Sequence, residues 1–264
     1  MKQIYILLTA LLMGLSANAE ESGTCGPDLR WHLTDKGVLT ISGKGEMDDY
    51  SYPKRAPWGK YDIIRIIKRI IIGDGITTIG GNAFSYCRAL TSVTIPNSVT
   101  KIGSSAFTYC SALTSVTIPN SVTEIGGSAF IRCSALTSVT IPNSITEIGG
   151  SAFEGCINIT QISSEAVVPP ICDSDAFYLI NKSKCKLIVP KNSIDAYKQA
   201  PQWKEFLLIE GSTTGITNTV YNKAGLADVY TIDGTKRLSK ASTDEINALP
   251  KGVYIVNGKK IIIK

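Results

Sequence analysis

Residues 112–134 read ALTSVTIPNSVTEIGGSAFIRCS, and residues 89–111 and 135–157 repeat this segment with only a few differences. A weaker copy precedes them, and the pattern fades after residue 157. The period of 23 residues is kept by the cysteines, at Cys87, Cys110, Cys133 and Cys156. A fixed period of this length predicts a stack of similar units, in which each unit contacts its neighbours.

The first half of a unit predicts a short strand. Val116 and Ile118 are apolar and are separated by one residue. Their neighbours Ser115 and Thr117 are polar, and this alternation turns the apolar side chains inward and the hydroxyls outward. Pro119 has no N–H to donate to a neighbouring strand, so the strand ends there.

The second half of a unit predicts a return path that closes the coil. A second extended stretch runs over residues 122–125 and is followed by two glycines. Residues 129–133 carry apolar side chains at helical spacing, which predicts a single helical turn. One unit cannot bury its apolar side alone, so stacked units build a continuous core with columns of phenylalanine and cysteine.

The period and the pattern Leu-x-x-Val-x-Ile are typical of a leucine-rich-repeat solenoid. The repeat resembles that of the BspA-type leucine-rich-repeat proteins, a family of secreted bacterial surface proteins. GTCG at 23–26, LTISG at 39–43 and PW at 57–58 resemble the N-terminal cap of that family, and LIVP at 187–190 with Trp203 resembles its C-terminal cap. The expected fold is a mostly β solenoid of short strands and short helical turns. It comprises an N-terminal β cap at 20–65, the solenoid at 66–165 and a C-terminal cap at 166–211.

The first residues have the form of a secretory signal peptide. Lys2 is followed by an apolar run from Ile4 to Leu15, and small residues stand at Ala17 and Ala19. This order predicts residues 1–19 to be a signal peptide that is cleaved after Ala19. The run is too short for a retained membrane-spanning helix, and no other stretch approaches that length. The mature chain is therefore expected to be secreted or attached to the cell surface.

Residues 216–264 predict a separate module after a polar linker. VYTIDG at 229–234 ends in an Asp-Gly turn, and LPKGVYIVNGKK at 249–260 contains an Asn-Gly turn between two strands. Several short strands with such turns favour a small antiparallel β-sandwich. The tail resembles the C-terminal sorting domain of the type IX (Por) secretion system, which implies delivery to the cell surface. A β module that merely caps the chain is the alternative.

Composition argues against several classes of function. Hydrophobic residues are 44% and charged residues 19%, and the net charge of +5 is not focused in a tight cluster, so nucleic acid is not an expected partner. The single histidine, His32, lies in a predicted cap strand outside any catalytic motif. The acidic segments 48–49 and 173–175 do not continue into a calcium loop and are expected to be ordinary turns. An enzyme is not predicted, and neither is a cofactor or a metal site.

The cysteine column allows more than one interpretation. Stacked coils bring equivalent Cα atoms to roughly 5 Å, a separation that a disulfide tolerates. The Cβ vectors of a column are parallel, however, which favours buried free thiols over disulfides or a tetrahedral zinc site. Cys172 and Cys185 are the candidate disulfide pair, with a free state equally open, because both lie in the C-terminal cap of an exported chain.

Three rows of side chains are candidates for a binding surface. The outward hydroxyls should form columns on one sheet face: Ser92, Thr94, Ser115, Thr117, Ser138 and Thr140. Such a face suits contact with a protein or glycan, or it provides only strand propensity and solubility. Specific recognition needs side chains that differ, which the repeats offer at two further sets of positions: Lys101, Glu124 and Glu147, and Tyr109, Arg132 and Gly155.

Two functions fit these observations. The first is an exported, non-enzymatic cell-surface interaction protein, adhesin-like, whose solenoid binds host or microbial macromolecules. Its partner would be an extracellular protein or glycan. The alternative is a structural spacer or assembly component of the cell envelope that binds no free ligand.

Overall fold

The computed structural model describes residues 21–51, 53–212, 226–231, 234–250, 252–256 and 259–263. They fall into two compact units. The first is the solenoid with its caps, up to Val189 and over Ser193–Glu210, and the second groups Pro190–Asn192 with the C-terminal module from Gly211 onward. The signal peptide predicted at 1–19 lies outside the described residues.

The strands and helices are short and follow one another in a regular order. The strands are β1 (Glu21–Gly26), β2 (Leu29–Leu33), β3 (Val38–Gly43), β4 (Gly45–Glu46), β5 (Arg69–Ile72), β6 (Ile76–Ile79), β7 (Ser92–Thr94), β8 (Lys101–Ile102), β9 (Glu124–Ile125), β10 (Ser138–Ile141), β11 (Glu147–Ile148), β12 (Gln161–Ser164), β13 (Ile171–Cys172), β14 (Lys186–Pro190), β15 (Leu208–Ser212), β16 (Ala227–Thr231), β17 (Lys236–Ala241), β18 (Gly252–Val256) and β19 (Lys259–Ile263). The α-helices are α1 (Tyr61–Ile64), α2 (Ile194–Gln199) and α3 (Thr243–Asn247), and 3-10 turns lie at Lys191–Ser193 and Trp203–Glu205.

The coils of the solenoid stack through parallel strand pairing. The second strand of each coil contributes to one six-stranded sheet in the order β13-β11-β9-β8-β6-β4. The first strands lie in two further sheets, β1-β2-β3-β5-β7 and β10-β12-β14-β15. Within the first of these sheets, β1, β2 and β3 pair antiparallel with one another, and β3 then pairs parallel with β5. Pairing is in register with the repeat, since Lys101 lies opposite Glu124 and Glu124 opposite Glu147. The predicted solenoid of short strands is therefore confirmed.

The first-strand sheet is interrupted in the middle coil. Residues 115–117 do not form the expected strand, and their pairing is reduced to a single bridge between Thr117 and Thr140. Val116 and Ile118 are still buried, so the inward alternation is retained. The three copies have the identical segment TSVTI here, so the interruption is not a property of the local sequence.

The predicted helical turn at residues 129–133 is wrong. The N–H groups of residues 129, 131 and 133 donate to carbonyls three residues back, whereas those of 128, 130 and 132 donate to the next coil. Ser128 and Arg132 adopt positive φ angles of 58° and 56°. This alternation produces successive tight turns in place of a helix, and it lets the backbone hydrogen bonds connect neighbouring coils.

An aromatic column runs through the core. Phe84, Phe107, Phe130, Phe153 and Phe177 are fully buried. Consecutive ring centroids lie 5.3 to 5.9 Å apart. Trp58 stacks on one end at 5.5 Å, and Trp203 packs on the other at 4.9 Å. The column begins in the N-terminal cap and ends in the C-terminal cap, so both caps continue the stacking of the solenoid.

The caps also satisfy polar groups at the ends of the core. The indole N–H of Trp58 donates to the Ala83 carbonyl at 2.7 Å. At the other end Ser164 occupies the position of a strand isoleucine and is buried. Its hydroxyl lies 2.6 Å from that of Tyr197, which donates to the Ala166 carbonyl at 2.9 Å. A tyrosine from α2 therefore completes the coil in which the repeat pattern fades.

The described residues of the C-terminal module form one antiparallel sheet in the order β17-β16-β18-β19. Val256 pairs with Lys259, as expected for a hairpin that turns at residues 257–258, which lie outside the described residues. The small core of the module consists of Ala227, Val229, Ala241, Ile246, Tyr254 and Val256. The antiparallel sheet is compatible with the predicted module, and the β-sandwich stays a prediction.

Candidate binding surface

The histidine and the acidic residues that could serve catalysis or metal binding do not form a common site. His32 is exposed on β2. Asp48 pairs with Lys54 at 3.6 Å, and the Asp49 carboxylate accepts the Gly81 N–H at 2.6 Å. Among the described residues, no three His, Cys, Asp or Glu side chains are grouped to hold a metal ion. No helix in the same residues is long and apolar enough to cross a membrane.

The cysteine column consists of buried free thiols. Cys87, Cys110, Cys133 and Cys156 are fully buried and unbridged. The thiols of Cys110 and Cys133 each donate to the phenylalanine carbonyl one coil back, at 3.2 Å. Burial raises the pKa of the Cys87 and Cys133 thiols to about 12. These thiols stay protonated and act as small core side chains, as the parallel Cβ vectors predict.

The disulfide weighed for Cys172 and Cys185 is not formed. Both thiols are free. Cys172 lies on β13 in the second-strand sheet, where it pairs with Ile148, whereas Cys185 immediately precedes β14 in a first-strand sheet. The thiol of Cys172 donates to the Pro170 carbonyl at 3.7 Å, and burial raises its pKa to about 12. The two cysteines belong to different sheets of the coil, which their shared location in the cap does not reveal.

The hydroxyl rows lie on the outer side of the first strands, as predicted. Five of these side chains are exposed, Thr94, Ser115, Thr117, Ser138 and Thr140, and Ser92 is half-buried. The interruption at residues 115–117 divides them between β7 and β10, which belong to different sheets. The hydroxyls therefore do not form the single uninterrupted face that the repeat predicts.

The charged row lies on the second-strand sheet. Lys101, Glu124 and Glu147 occupy consecutive strands in register. The Lys101 ammonium lies 3.0 Å from the Glu124 carboxylate. This half-exposed pair neutralises two of the three charges, so the row presents little net charge to a ligand.

The third row forms an ordered ladder on the turn edge of the solenoid. The rings of Tyr86 and Tyr109 are stacked with centroids 4.9 Å apart and an angle of 6°. The Arg88 guanidinium carbon lies 5.9 Å from each of these centroids, and that of Arg132 lies 5.7 Å from the Tyr109 centroid. These four residues are named the Arg–Tyr strip. Cation–π contacts of this geometry hold arginine side chains in place without neutralising them.

The backbone of the strip is strained. Tyr86, Tyr109 and Arg132 have φ angles of 63°, 59° and 56°, and the equivalent Gly155 has φ 71°. A side chain in the left-handed region costs roughly 1 kcal/mol, which a glycine at the same position avoids. The same turn recurs outside the strip at Ser105, Ser128 and Ser151, so it is a property of the repeat and does not by itself mark a functional site.

Two cavities adjoin the strip and share Arg88 as a wall residue. The first has a volume of about 480 Å³, and its walls include Arg55, Trp58, Tyr61, Arg65, Tyr86 and Arg88. The second has a volume of about 260 Å³, and its walls include Arg88, Tyr109, Arg132, Gly155, Ile157 and Leu179. Tyr61 is 62% exposed and Ile157 is 58% exposed, so apolar surface at both cavities is open to solvent.

The arginines on this edge form no ion pair with another described residue. Four of the seven arginines of the chain line the two cavities, and none of the described lining residues is Asp or Glu. Every ion pair between described residues is made by a lysine instead: Lys54, Lys101, Lys182, Lys186 and Lys236. The arginines of the cavities are therefore available to an anionic group from outside.

Comparison with known proteins identifies the repeats. Residues 64–184 match the BspA type leucine rich repeat region in six copies. This segment is similar to BspA-type leucine-rich-repeat regions. It contains the Arg–Tyr strip and all the walls of the second cavity. No curated protein matches the chain.

Several solved structures of leucine-rich-repeat proteins are similar to this chain. A protein from Eubacterium ventriosum is 24% identical, with a TM-score of 0.48, over 66% of this chain and 67% of that one. The leucine-rich-repeat protein of T. pallidum is 23% identical, with a TM-score of 0.45, over 72% and 86% of the two chains. A protein from Bacteroides ovatus is 20% identical, with a TM-score of 0.40, over 64% and 55%.

Leucine-rich-repeat proteins share general properties that bear on this surface. Proteins built from such repeats are generally non-enzymatic and bind other molecules along the stacked coils. The sequence singled out Tyr109, Arg132 and Gly155 because they break the repetition. It missed Tyr86, which lies one period before Tyr109, and Arg88, whose role depends on the ladder that the turns create.

Proposed function

We propose that this protein is exported and acts at the cell surface as a non-enzymatic, adhesin-like binding protein. The observation that carries the proposal is the Arg–Tyr strip with its two cavities, where exposed aromatic rings and unpaired arginines coincide. Tyrosine and arginine are the residue types enriched at the energetic centres of protein interfaces. Host or microbial macromolecules of the extracellular space are the proposed targets.

Export is supported by the two ends of the chain. The order of Lys2, the apolar run and the small residues up to Ala19 is typical of a signal peptide. Residues 216–264 resemble a type IX sorting domain, and the antiparallel sheet of the described residues is compatible with such a module. BspA-type leucine-rich-repeat proteins are typically surface-associated.

Localisation is tested by protease treatment of intact cells that produce the full chain or a variant without residues 216–264. We expect the full chain to be removed from the surface and the shortened chain to stay protected. If both are protected, the surface role is wrong. The spacer role then takes its place, and cross-linking in the envelope should recover a partner protein.

Binding is tested with the purified chain on immobilised extracellular matrix proteins and on glycans. We expect saturable binding that decreases in the double variant Arg88→Gln/Arg132→Gln. A control variant, Thr94→Ala/Thr140→Ala, removes two hydroxyls from the outer sheet faces and should bind normally. Loss of binding in the threonine variant alone would show that the binding surface lies on the outer sheet face.

A further inference from the structure

We propose that the Arg–Tyr strip binds an acidic peptide segment that carries an apolar anchor residue. The inference rests on the proposed function and specifies the chemistry of its ligand. In this arrangement the anchor side chain fills the second cavity between Arg88 and Arg132, and flanking carboxylates pair with the arginines on either side.

The walls of the second cavity favour a peptide over a glycan. Ile157 and Leu179 contribute aliphatic side chains that are 58% and 50% exposed. Placing a leucine- or phenylalanine-like side chain against them removes apolar surface from water on both partners. A sugar ring presents hydroxyl groups on its rim, and those would lose hydrogen bonds to water in the same place.

The arginines are arranged to receive carboxylates. Arg88 forms a wall of both cavities, and Arg132 lies against the Tyr109 ring at the far side of the second one. A guanidinium held by a cation–π contact keeps its N–H donors for a bidentate bond to a carboxylate. Arg55 and Arg65 line the first cavity and extend the positive surface to a second acidic group.

Charge complementarity identifies the sign of the ligand. Among the described residues that line the two cavities there are four arginines and no carboxylate. The four arginines therefore give the cavity walls a positive charge that no lining carboxylate offsets, whereas Lys101 on the second-strand sheet is paired with Glu124. An anionic partner is attracted to these arginines over a distance near the Debye length. The attraction directs the partner to this edge and not to the rest of the solenoid.

The probe for the test is a fluorescein-labelled peptide with one leucine between pairs of glutamates, and binding to the full chain is followed by fluorescence anisotropy. We expect saturable binding that weakens as ionic strength rises from about 0.05 M to about 0.3 M. Replacing the glutamates by glutamine should abolish binding. Replacing the leucine by alanine should weaken it by about tenfold, since the cavity loses its anchor.

Two double variants with the same change in charge locate the site. Arg88→Gln/Arg132→Gln should weaken peptide binding by at least about tenfold. Arg30→Gln/Arg69→Gln removes two exposed arginines from β2 and β5 and should leave the affinity unchanged. A third variant, Arg132→Gly, adopts the glycine that stands at residue 155 and keeps the left-handed turn, so its loss of binding cannot be assigned to misfolding.

Specific outcomes would overturn the inference. Equal weakening by both double variants would show attraction by net charge alone. Binding of a heparin oligosaccharide at the strip, without peptide binding, would assign the site to acidic glycans. If neither probe binds but the chain still adheres to matrix proteins, the inference about the ligand fails and the proposed function stands. Loss of all adhesion would refute the proposed function itself.

Discussion

Raising the pH from about 7.5 to about 9.5 should destabilise the solenoid strongly, because its core contains thiols that ionise in that range once exposed. Cys87 and Cys133 are fully buried, and burial raises their pKa to about 12. Burial also raises the pKa of Cys110 and Cys156 well above the usual value. All four thiols therefore keep their protons in the folded protein throughout this interval.

The direction of the effect follows from proton linkage. In the unfolded chain a thiol loses its proton near pH 8.5, whereas in the folded chain it does not. The contribution of each buried thiol to stability is therefore complete at pH values below the thiol pKa of the unfolded chain. It is lost as the pH rises from there toward the thiol pKa of the folded chain. At pH ~9.5 each thiol lowers the free energy of unfolding by ~1.4 kcal/mol, and the four of the column lower it by about 6 kcal/mol. A loss of that size approaches the total stability of many domains, about 5–15 kcal/mol.

The assay is urea unfolding at both pH values in the presence of a reducing agent, followed by circular dichroism. Cys133→Ala should lower stability at neutral pH and reduce the dependence on pH by about 1.4 kcal/mol. The control Ile125→Val also loses a buried group, costing about 0.5–1.5 kcal/mol, yet it should retain the full pH dependence. Equal stability at the two pH values, or an unchanged pH dependence in Cys133→Ala, would refute the argument.

Three further predictions concern the packing of the coils, and each is measured by urea unfolding. Phe130→Ala should lower the free energy of unfolding by about 3–5 kcal/mol, because the ring is stacked on both sides with centroids 5.3 Å apart. A decrease of less than about 1 kcal/mol would contradict the aromatic column. Gly126→Ala should cost at least about 2 kcal/mol more than Gly127→Ala. A Cβ at Gly126 would lie 2.6 Å from a backbone nitrogen of the neighbouring coil, against 3.3 Å from the nearest atom at Gly127, and equal losses would disprove this close approach. Tyr197→Phe removes the hydroxyl that satisfies buried Ser164 and should cost about 1–3 kcal/mol, and an unchanged stability would show that this bond is not needed.

The periodic features of the fold were predictable because stacking imposes the same environment on every coil. Inward Val116, the end of the strand at Pro119 and the buried thiol of Cys133 all follow from one repeat and recur in its neighbours. Each of these positions has one dominant physical requirement, such as burial or a missing N–H. A single copy of the repeat is then sufficient to predict it.

Features that depend on contacts between coils were not predictable in the same way. Ser128 and Arg132 take left-handed turns although neither is glycine, because their N–H groups bond to the next coil. The helix α3 was missed although Ser242 and Glu245 form a capping box with each other. That signal is local and was available in the sequence.

The candidate surface was predictable only in part. Deviations from the repeat point to Tyr109 and Arg132, but they also point to Lys101, which pairs with Glu124 and is neutralised. Whether a variable side chain joins a ladder or an ion pair depends on which side chain the next coil places opposite it. The contribution of Arg88, which forms part of both cavities, is visible only in three dimensions.

The most direct test of the proposed surface is methyl NMR of the full chain, labelled at isoleucine, leucine and threonine methyl groups, during titration with the acidic leucine peptide. Binding at the Arg–Tyr strip should shift the Ile157 and Leu179 methyl signals and leave those of Thr94 and Thr140 unchanged. Shifts confined to the threonine methyl groups would place recognition on the hydroxyl rows of the sheets, and the strip would then not be the binding surface.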